Sequence, residues 1–144
     1  MTADSDGSSL GVQILIIVLL TALNAFFAAV NAFTEKGDGV IIMRPVYYPF
    51  SMAIEMNERE LVNCPLLCDK DNYYTIDYEK FENLAKQPKN KLLIFCSPHN
   101  PIGRVWKKEE LERLAAICLK HKVLMISDEI HADLTLPPYQ HTPL

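Results

Sequence analysis

The sequence predicts an α/β fold in which a mostly parallel sheet has helices on both faces. Short apolar runs that are typical of buried strands alternate along the chain with stretches whose apolar residues repeat at helical spacing. Strands that alternate with helices pair in parallel through right-handed crossovers, and both faces of such a sheet are then covered. The composition, with 49% hydrophobic and 22% charged residues, favours a folded chain over a disordered one.

Four apolar runs predict the strands of this sheet. They lie at residues 39–43, 60–66, 91–96 and 123–126. The last two runs have the length and the continuous apolar character of strands that are buried on both faces.

Three helices are predicted between or beside these strands, at residues 49–56, 77–86 and 107–121. Asp77 is a candidate N-cap for the second helix, because its carboxylate can accept a hydrogen bond from the first turn. The third helix has the clearest apolar face, which carries Leu111, Leu114, Ala115 and Cys118.

Polar and turn-forming residues directly follow the last two predicted strands. Residues 97–104 read Ser-Pro-His-Asn-Pro-Ile-Gly-Arg, and residues 127–131 read Ser-Asp-Glu-Ile-His. Open α/β sheets hold ligands at the carboxyl ends of their strands, so Asn100, Asp128 and His131 could converge on one bound molecule. Each also has a structural alternative when taken singly: a turn before proline, a helix cap or exposed loop, and a hydrogen-bonded structural imidazole.

Several other functions find no support in the sequence. A net charge of −4 without a basic patch argues against a nucleic-acid partner. The chain lacks the GxGxxG and GxxxxGK[ST] patterns of nucleotide-binding folds and the GxSxG pattern of serine hydrolases. Its cysteines show no CxxC spacing, which favours free buried thiols in a reducing compartment over disulfides or a metal site; they are Cys64, Cys68, Cys96 and Cys118.

Three sequence blocks, in this order, resemble the class I/II aminotransferase superfamily of fold type I pyridoxal-phosphate enzymes. They are residues 45–50 (Pro-Val-Tyr-Tyr-Pro-Phe), 97–106 and 127–134. Within the superfamily the chain is similar to the cystathionine β-lyase, or C-S lyase, branch. The resemblance implies that residues 21–144 form part of the large cofactor-binding domain and are a fragment of a longer fold.

The resemblance also implies four contacts with pyridoxal phosphate. The residues matching Asn100 and His131 hydrogen-bond the cofactor's phenolate oxygen, and the position of His131 is a tyrosine in many relatives. The aspartate matching Asp128 pairs with the pyridine nitrogen and keeps it protonated, which makes the ring a better electron sink. The aromatic residue matching Tyr47 stacks on the ring. Without the resemblance, Tyr47 would be interpreted as a core or edge aromatic.

A lysine that family members need has no counterpart in this sequence. Relatives hold the cofactor as a Schiff base to a lysine well downstream of the aspartate, and that lysine also moves the substrate's α-proton. None of the sixteen residues after Asp128 is a lysine. We therefore expect no catalytic residue in this chain, and we expect the parent protein to be a longer homodimer, as its relatives are.

The function that the resemblance implies is α,β-elimination by a C-S β-lyase. The substrates would be small amino acids, namely cystathionine or cysteine S-conjugates. His131 and the Ser-Pro-His-Asn-Pro run favour this branch. The alternatives are an aminotransferase of the same fold and a non-catalytic remnant or interaction protein, either with or without attachment to a membrane.

The amino-terminal stretch is the source of the membrane alternative. Residues 10–33 include no charged side chain, and these 24 positions are enough for one helix to cross a bilayer. The amide side chains of Gln13, Asn24 and Asn31 in the run, and the lack of any preceding lysine or arginine, count against insertion. Residues 23–36 resemble the family's first large-domain helix, whereas residues 1–20 are an apolar segment unlike the family. We expect a cytoplasmic protein, with membrane attachment through residues 10–33 as the alternative.

Overall fold

The computed structural model describes residues 24–144, which form an α/β arrangement around a parallel sheet. In chain order the elements are a helix over residues 24–33 (α1), Gly39–Ile42 (β1), Pro49–Met56 (α2), Glu60–Asn63 (β2), Leu67–Cys68 (β3), Tyr74–Thr75 (β4), Tyr78–Ala85 (α3), Asn90–Cys96 (β5), Lys108–His121 (α4), Leu124–Asp128 (β6) and a short 3-10 helix, Ala132–Leu134. The predictions for residues 1–20, and for most of the uncharged run at residues 10–33, lie outside the described residues.

The main sheet has the strand order β2, β1, β5, β6, and every neighbouring pair in it is parallel. In the last pair Leu92 lies opposite Leu124 and Cys96 lies opposite Asp128. The predicted mostly parallel sheet is therefore confirmed. Because its strands run in one direction, the loops that follow β1, β5 and β6 leave the sheet at the same edge.

Each face of the sheet packs against a pair of helices. Successive side chains of a strand point to opposite faces, so β5 contributes Leu93 and Phe95 to one core and Leu92 and Ile94 to the other. The first core is completed by α3 and α4, and the second by α1 and α2. The prediction of helices on both faces is thus confirmed.

The predicted capping of the helix after Asp77 is also confirmed. Helix α3 begins at Tyr78, and the Asp77 carboxylate accepts a hydrogen bond from the Lys80 amide at 2.9 Å. The cap satisfies one of the amide groups that the first turn leaves without a partner.

Strand β2 ends three residues earlier than the sequence pattern predicted. The strand stops at Asn63 because Pro65 has no amide hydrogen to donate to a ladder. The amides of Cys64 and Leu66 still bond to carbonyls of the β1 side, at 2.9 Å each. The chain then forms the antiparallel β3–β4 pair, which the sequence reading did not predict.

Two burial predictions need correction. Strand β6 is the end strand of the described sheet, and Leu124 is 43% exposed, so the strand is not buried on both faces. All four cysteines are free thiols, but Cys68 is exposed, whereas Cys64, Cys96 and Cys118 are buried. Cys68 is exposed because it belongs to the short β3–β4 pair outside the main sheet.

Among residues 24–144, none of the helices has both the length and the apolar character that a membrane crossing requires.

Helix α4 offers a matched test of the packing. Leu114 is fully buried, and Leu119 on the same helix is 81% exposed. We expect Leu114→Ala to lower the free energy of unfolding by about 2–5 kcal/mol, because it removes buried methyl groups and leaves a cavity. Leu119→Ala should change it by less than about 0.5 kcal/mol. Urea unfolding measures the free energy of unfolding of each variant. Equal losses in the two variants would contradict the burial of Leu114 beneath helix α4.

Candidate functional site

The four residues singled out in the sequence all lie at the carboxyl edge of the sheet. Tyr47 lies in the loop after β1, Asn100 in the loop after β5, Asp128 is the last residue of β6, and His131 follows it closely. The topology therefore brings residues from three separate loops to one edge.

The Asn100 loop is a closed turn. The His99 amide donates to the Arg104 carbonyl and the Gly103 amide donates to the His99 carbonyl, each at 2.8 Å. Gly103 has a φ of +68°, a left-handed conformation that glycine adopts without steric cost. At the start of the turn the Asn100 amide donates to the Cys96 sulfur at 3.3 Å. The backbone is thereby fixed, and the Asn100 side-chain amide makes no hydrogen bond within residues 24–144.

The Asp128 carboxylate is partly buried and has no cationic partner in the described part of the chain. Its backbone carbonyl accepts a hydrogen bond from Ser97 at 2.9 Å, which extends the β5–β6 ladder. Its side chain accepts one hydrogen bond, from the Ile130 amide at 3.2 Å. Burial raises the pKa of Asp128, although the Ile130 amide and the nearby His131 oppose the shift. The site thus presents a carboxylate that a cation would stabilise.

Asn100 and His131 share a cleft of about 430 Å³. Its lining also includes Leu136 and Tyr139, which follow the 3-10 helix. The structure therefore brings two of the four residues to one cavity.

Tyr47 and Asp128 do not line this cleft, but they share a face of the sheet. Asp128 is in register with Cys96, so the two side chains point to the same side. Cys96 belongs to the core that α1 and α2 cover, and Tyr47 packs against that core. The Tyr47 ring lies edge-on to Phe50, with ring centroids 6.2 Å apart.

Sequence reasoning missed the contacts of two buried residues between these loops. The Cys96 thiol accepts the Asn100 amide and lies near Asp128, and burial raises its pKa to about 11. His99 is 2% exposed and hydrogen-bonds to the Pro45 carbonyl at 2.9 Å. The sequence predicted a buried Cys96 thiol and placed His99 inside the run of residues 97–104, but it did not show which partner either side chain finds.

Glu129 holds the last described residues at this edge of the sheet through hydrogen bonds. Its carboxylate accepts hydrogen bonds from the Ser127 hydroxyl, the His141 ring and the Leu144 amide, at 2.9, 2.8 and 3.0 Å. Residues 137–144 have no helix or strand of their own, so these bonds determine where the segment lies.

The donors and acceptors at this edge fit the ring of pyridoxal phosphate. A carboxylate such as that of Asp128 would suit a protonated pyridine nitrogen, and Asn100 and His131 carry donors that would suit a phenolate oxygen. Tyr47 has an aromatic ring beside the core that α1 and α2 cover.

A parallel sheet with polar side chains at its carboxyl edge is typical of α/β proteins that bind a ligand at that edge. Within that class, the chain belongs to the aminotransferase class I and II family, whose model matches residues 14–142. The family depends on pyridoxal phosphate.

Known proteins with similar chains include both lyases and transaminases. The chain is 47% identical over 121 residues to cystathionine beta-lyase PatB of Bacillus subtilis, which covers 84% of this chain and 31% of that protein. It is 38% identical to the probable kynurenine–oxoglutarate transaminase BNA3 of Saccharomyces cerevisiae, over 69% of this chain and 24% of that protein. Among solved structures, cystalysin from Treponema denticola, which contains pyridoxal 5'-phosphate, has 56% identity and a TM-score of 0.82 over 85% of this chain and 31% of its own. The chain thus spans between about a quarter and a third of the length of these relatives.

We expect Asp128→Asn to stabilise the cofactor-free chain at neutral pH. Folding raises the pKa of this carboxyl group, so the ionised form is less stable in the folded chain than in the unfolded chain. Asparagine keeps an acceptor for the Ile130 amide but carries no charge. The advantage should shrink as the pH falls towards the raised pKa, because wild-type Asp128 then takes up a proton.

Urea unfolding at neutral and at mildly acidic pH measures this difference. Asp133→Asn, in the exposed 3-10 helix, serves as the control for loss of a negative charge. An Asp128→Asn variant that is less stable than wild type at neutral pH would show that the carboxylate has a stabilising partner.

Proposed function

We propose that this chain supplies the ring-binding part of a pyridoxal-phosphate-dependent C-S β-lyase that acts on cystathionine or cysteine S-conjugates. The observation that supports it most is the partly buried Asp128 carboxylate, which stands beside the Asn100 turn and makes no salt bridge with the described residues. The reaction breaks the bond between the β-carbon and sulfur, consumes one water, and releases thiol, pyruvate and ammonia.

Asp128 is assigned to the cofactor's pyridine nitrogen. A cation beside the carboxylate would lower its pKa again and remove the cost of holding it ionised in a partly buried place. In return, the carboxylate favours the protonated form of the ring nitrogen. When bound, the protonated ring takes up the electrons of the substrate's α-carbanion.

The three other residues are assigned to orientation. Asn100 and His131 donate hydrogen bonds to the ring oxygen, and their position on one cleft supports a common partner. Tyr47 covers a face of the ring, where an aromatic contact adds attraction beyond the buried area. No residue of this chain is assigned to proton transfer, because no lysine follows Asp128.

The lyase branch is preferred over the transaminase branch. PatB, which is named a cystathionine beta-lyase, is 47% identical to the chain, against 38% for the yeast transaminase. His131 and the Ser-Pro-His-Asn-Pro run also match the lyase branch. We further propose that the enzyme is a homodimer.

Titration of the chain with pyridoxal phosphate tests the ring site. Trp106 is the single tryptophan and lies beside His99, so its fluorescence reports on this edge. We expect saturable binding of one equivalent, weakened about ten-fold or more by Asp128→Asn, since charged hydrogen bonds contribute roughly 1.5–3 kcal/mol. Asp133→Asn is the control and should bind as wild type does. Equal affinity in both variants would contradict the role of Asp128.

The choice between lyase and transaminase is tested on protein from the complete reading frame. Cystathionine is supplied alone in one assay, and an amino acid with a keto acid in the other. We expect release of pyruvate and thiol from cystathionine. Amino transfer without pyruvate release would replace the lyase assignment by the transaminase.

A further inference from the structure

A buried histidine, His99, connects two of the loops that carry proposed cofactor contacts. Its ring nitrogen Nε2 lies 2.9 Å from the carbonyl oxygen of Pro45, 54 positions earlier in the chain. A carbonyl oxygen only accepts, so Nε2 carries the hydrogen and donates it. Pro45 stands two residues before Tyr47, and His99 directly precedes Asn100. This hydrogen bond therefore joins the Tyr47 loop to the Asn100 loop.

The orientation of the His99 ring is fixed by its surroundings. The ring is perpendicular to Trp106, at 88° with centroids 5.6 Å apart, and lies at 67° to Phe95. The backbone of His99 is held from both sides by the turn that ends at Arg104. Its donor is thus directed at Pro45 by the packing alone.

His99 is a neutral donor at neutral pH. Burial lowers the pKa of the ring, and it outweighs the carbonyls of Pro45 and Cys96, which favour the cation. The second ring nitrogen, Nδ1, is buried and has no hydrogen-bond partner in the described structure. The ring therefore offers one hydrogen bond, and that bond goes to the neighbouring loop.

We propose that His99 is a positioning residue that holds the Tyr47 loop and the Asn100 loop at a fixed separation for the ring of the cofactor. The proposal rests on the proposed function. His99 acts through the Pro45 carbonyl, so its loss changes cofactor affinity without removing any group assigned to the cofactor.

The test compares substitutions of His99 that either remove or keep a side-chain N–H donor for the Pro45 carbonyl. His99→Leu fills the site without a donor, whereas His99→Gln keeps an N–H group at a similar distance from the backbone. His99→Asn, whose amide is too short to reach Pro45, replaces the leucine variant if that variant does not fold. Ile117→Val in helix α4 is the control for a small loss of stability away from these loops.

Two measurements are made on the whole chain, pyridoxal-phosphate affinity and amide hydrogen exchange of residues 46–51. Loss of one neutral hydrogen bond should weaken binding roughly three- to ten-fold in His99→Leu and speed exchange in the Tyr47 loop. His99→Gln should restore affinity to within about two-fold of wild type, the scatter expected of a context-dependent hydrogen bond. Ile117→Val should leave affinity unchanged.

The outcomes separate the two proposals. If wild type binds the cofactor and folded His99→Leu binds it equally well, the positioning role is wrong while the proposed function stands. If His99→Gln is as weak as His99→Leu, the effect comes from ring packing, and the positioning hydrogen bond is again wrong. If wild type does not bind pyridoxal phosphate saturably, the proposed function is overturned together with the role of His99.

Discussion

The parallel pairing of β5 with β6 is the constraint on which the site depends. It places Cys96 opposite Asp128, and the ladder continues one step further through the bond from Ser97 to the Asp128 carbonyl. A slip of one residue in this register would turn the Asp128 side chain to the other face of the sheet. The apolar side chains of both strands hold the register, so the packing of the two cores determines where the carboxylate points.

Stability and the proposed role in cofactor binding make opposite demands on Asp128. Among residues 24–144 the Asp128 carboxyl group has one amide donor and a raised pKa, an arrangement that costs stability in a chain that only has to fold. Groups of this kind concentrate at sites where a ligand supplies the missing charge. Glu129, the next residue, shows the contrast, since three donors satisfy its carboxylate and its pKa is lowered despite burial.

The sequence pattern predicts those features that depend on neighbours along the chain. Apolar runs predicted the strands, and an aspartate before an apolar repeat predicted the Asp77 cap, because both depend on local periodicity and hydrogen bonding. The position of Asn100 and Asp128 at strand ends followed in the same way. The sequence could not show the bond from His99 to Pro45, which joins residues 54 positions apart, or the short β3–β4 pair, whose strands have two residues each. The exposure of β6 was also not predictable, because it results from the position of this strand at the end of the described sheet and not from its amino-acid composition.

The thiol of Cys96 has a chemical consequence for a protein family whose cofactor is an aldehyde. Thiolates add readily to aldehydes, whereas neutral thiols are far weaker nucleophiles. With its pKa raised to about 11, Cys96 remains protonated at neutral pH, and its sulfur is occupied by the Asn100 amide. Burial therefore keeps this thiol, which is 1% exposed, both protonated and shielded from any aldehyde that enters the proposed site.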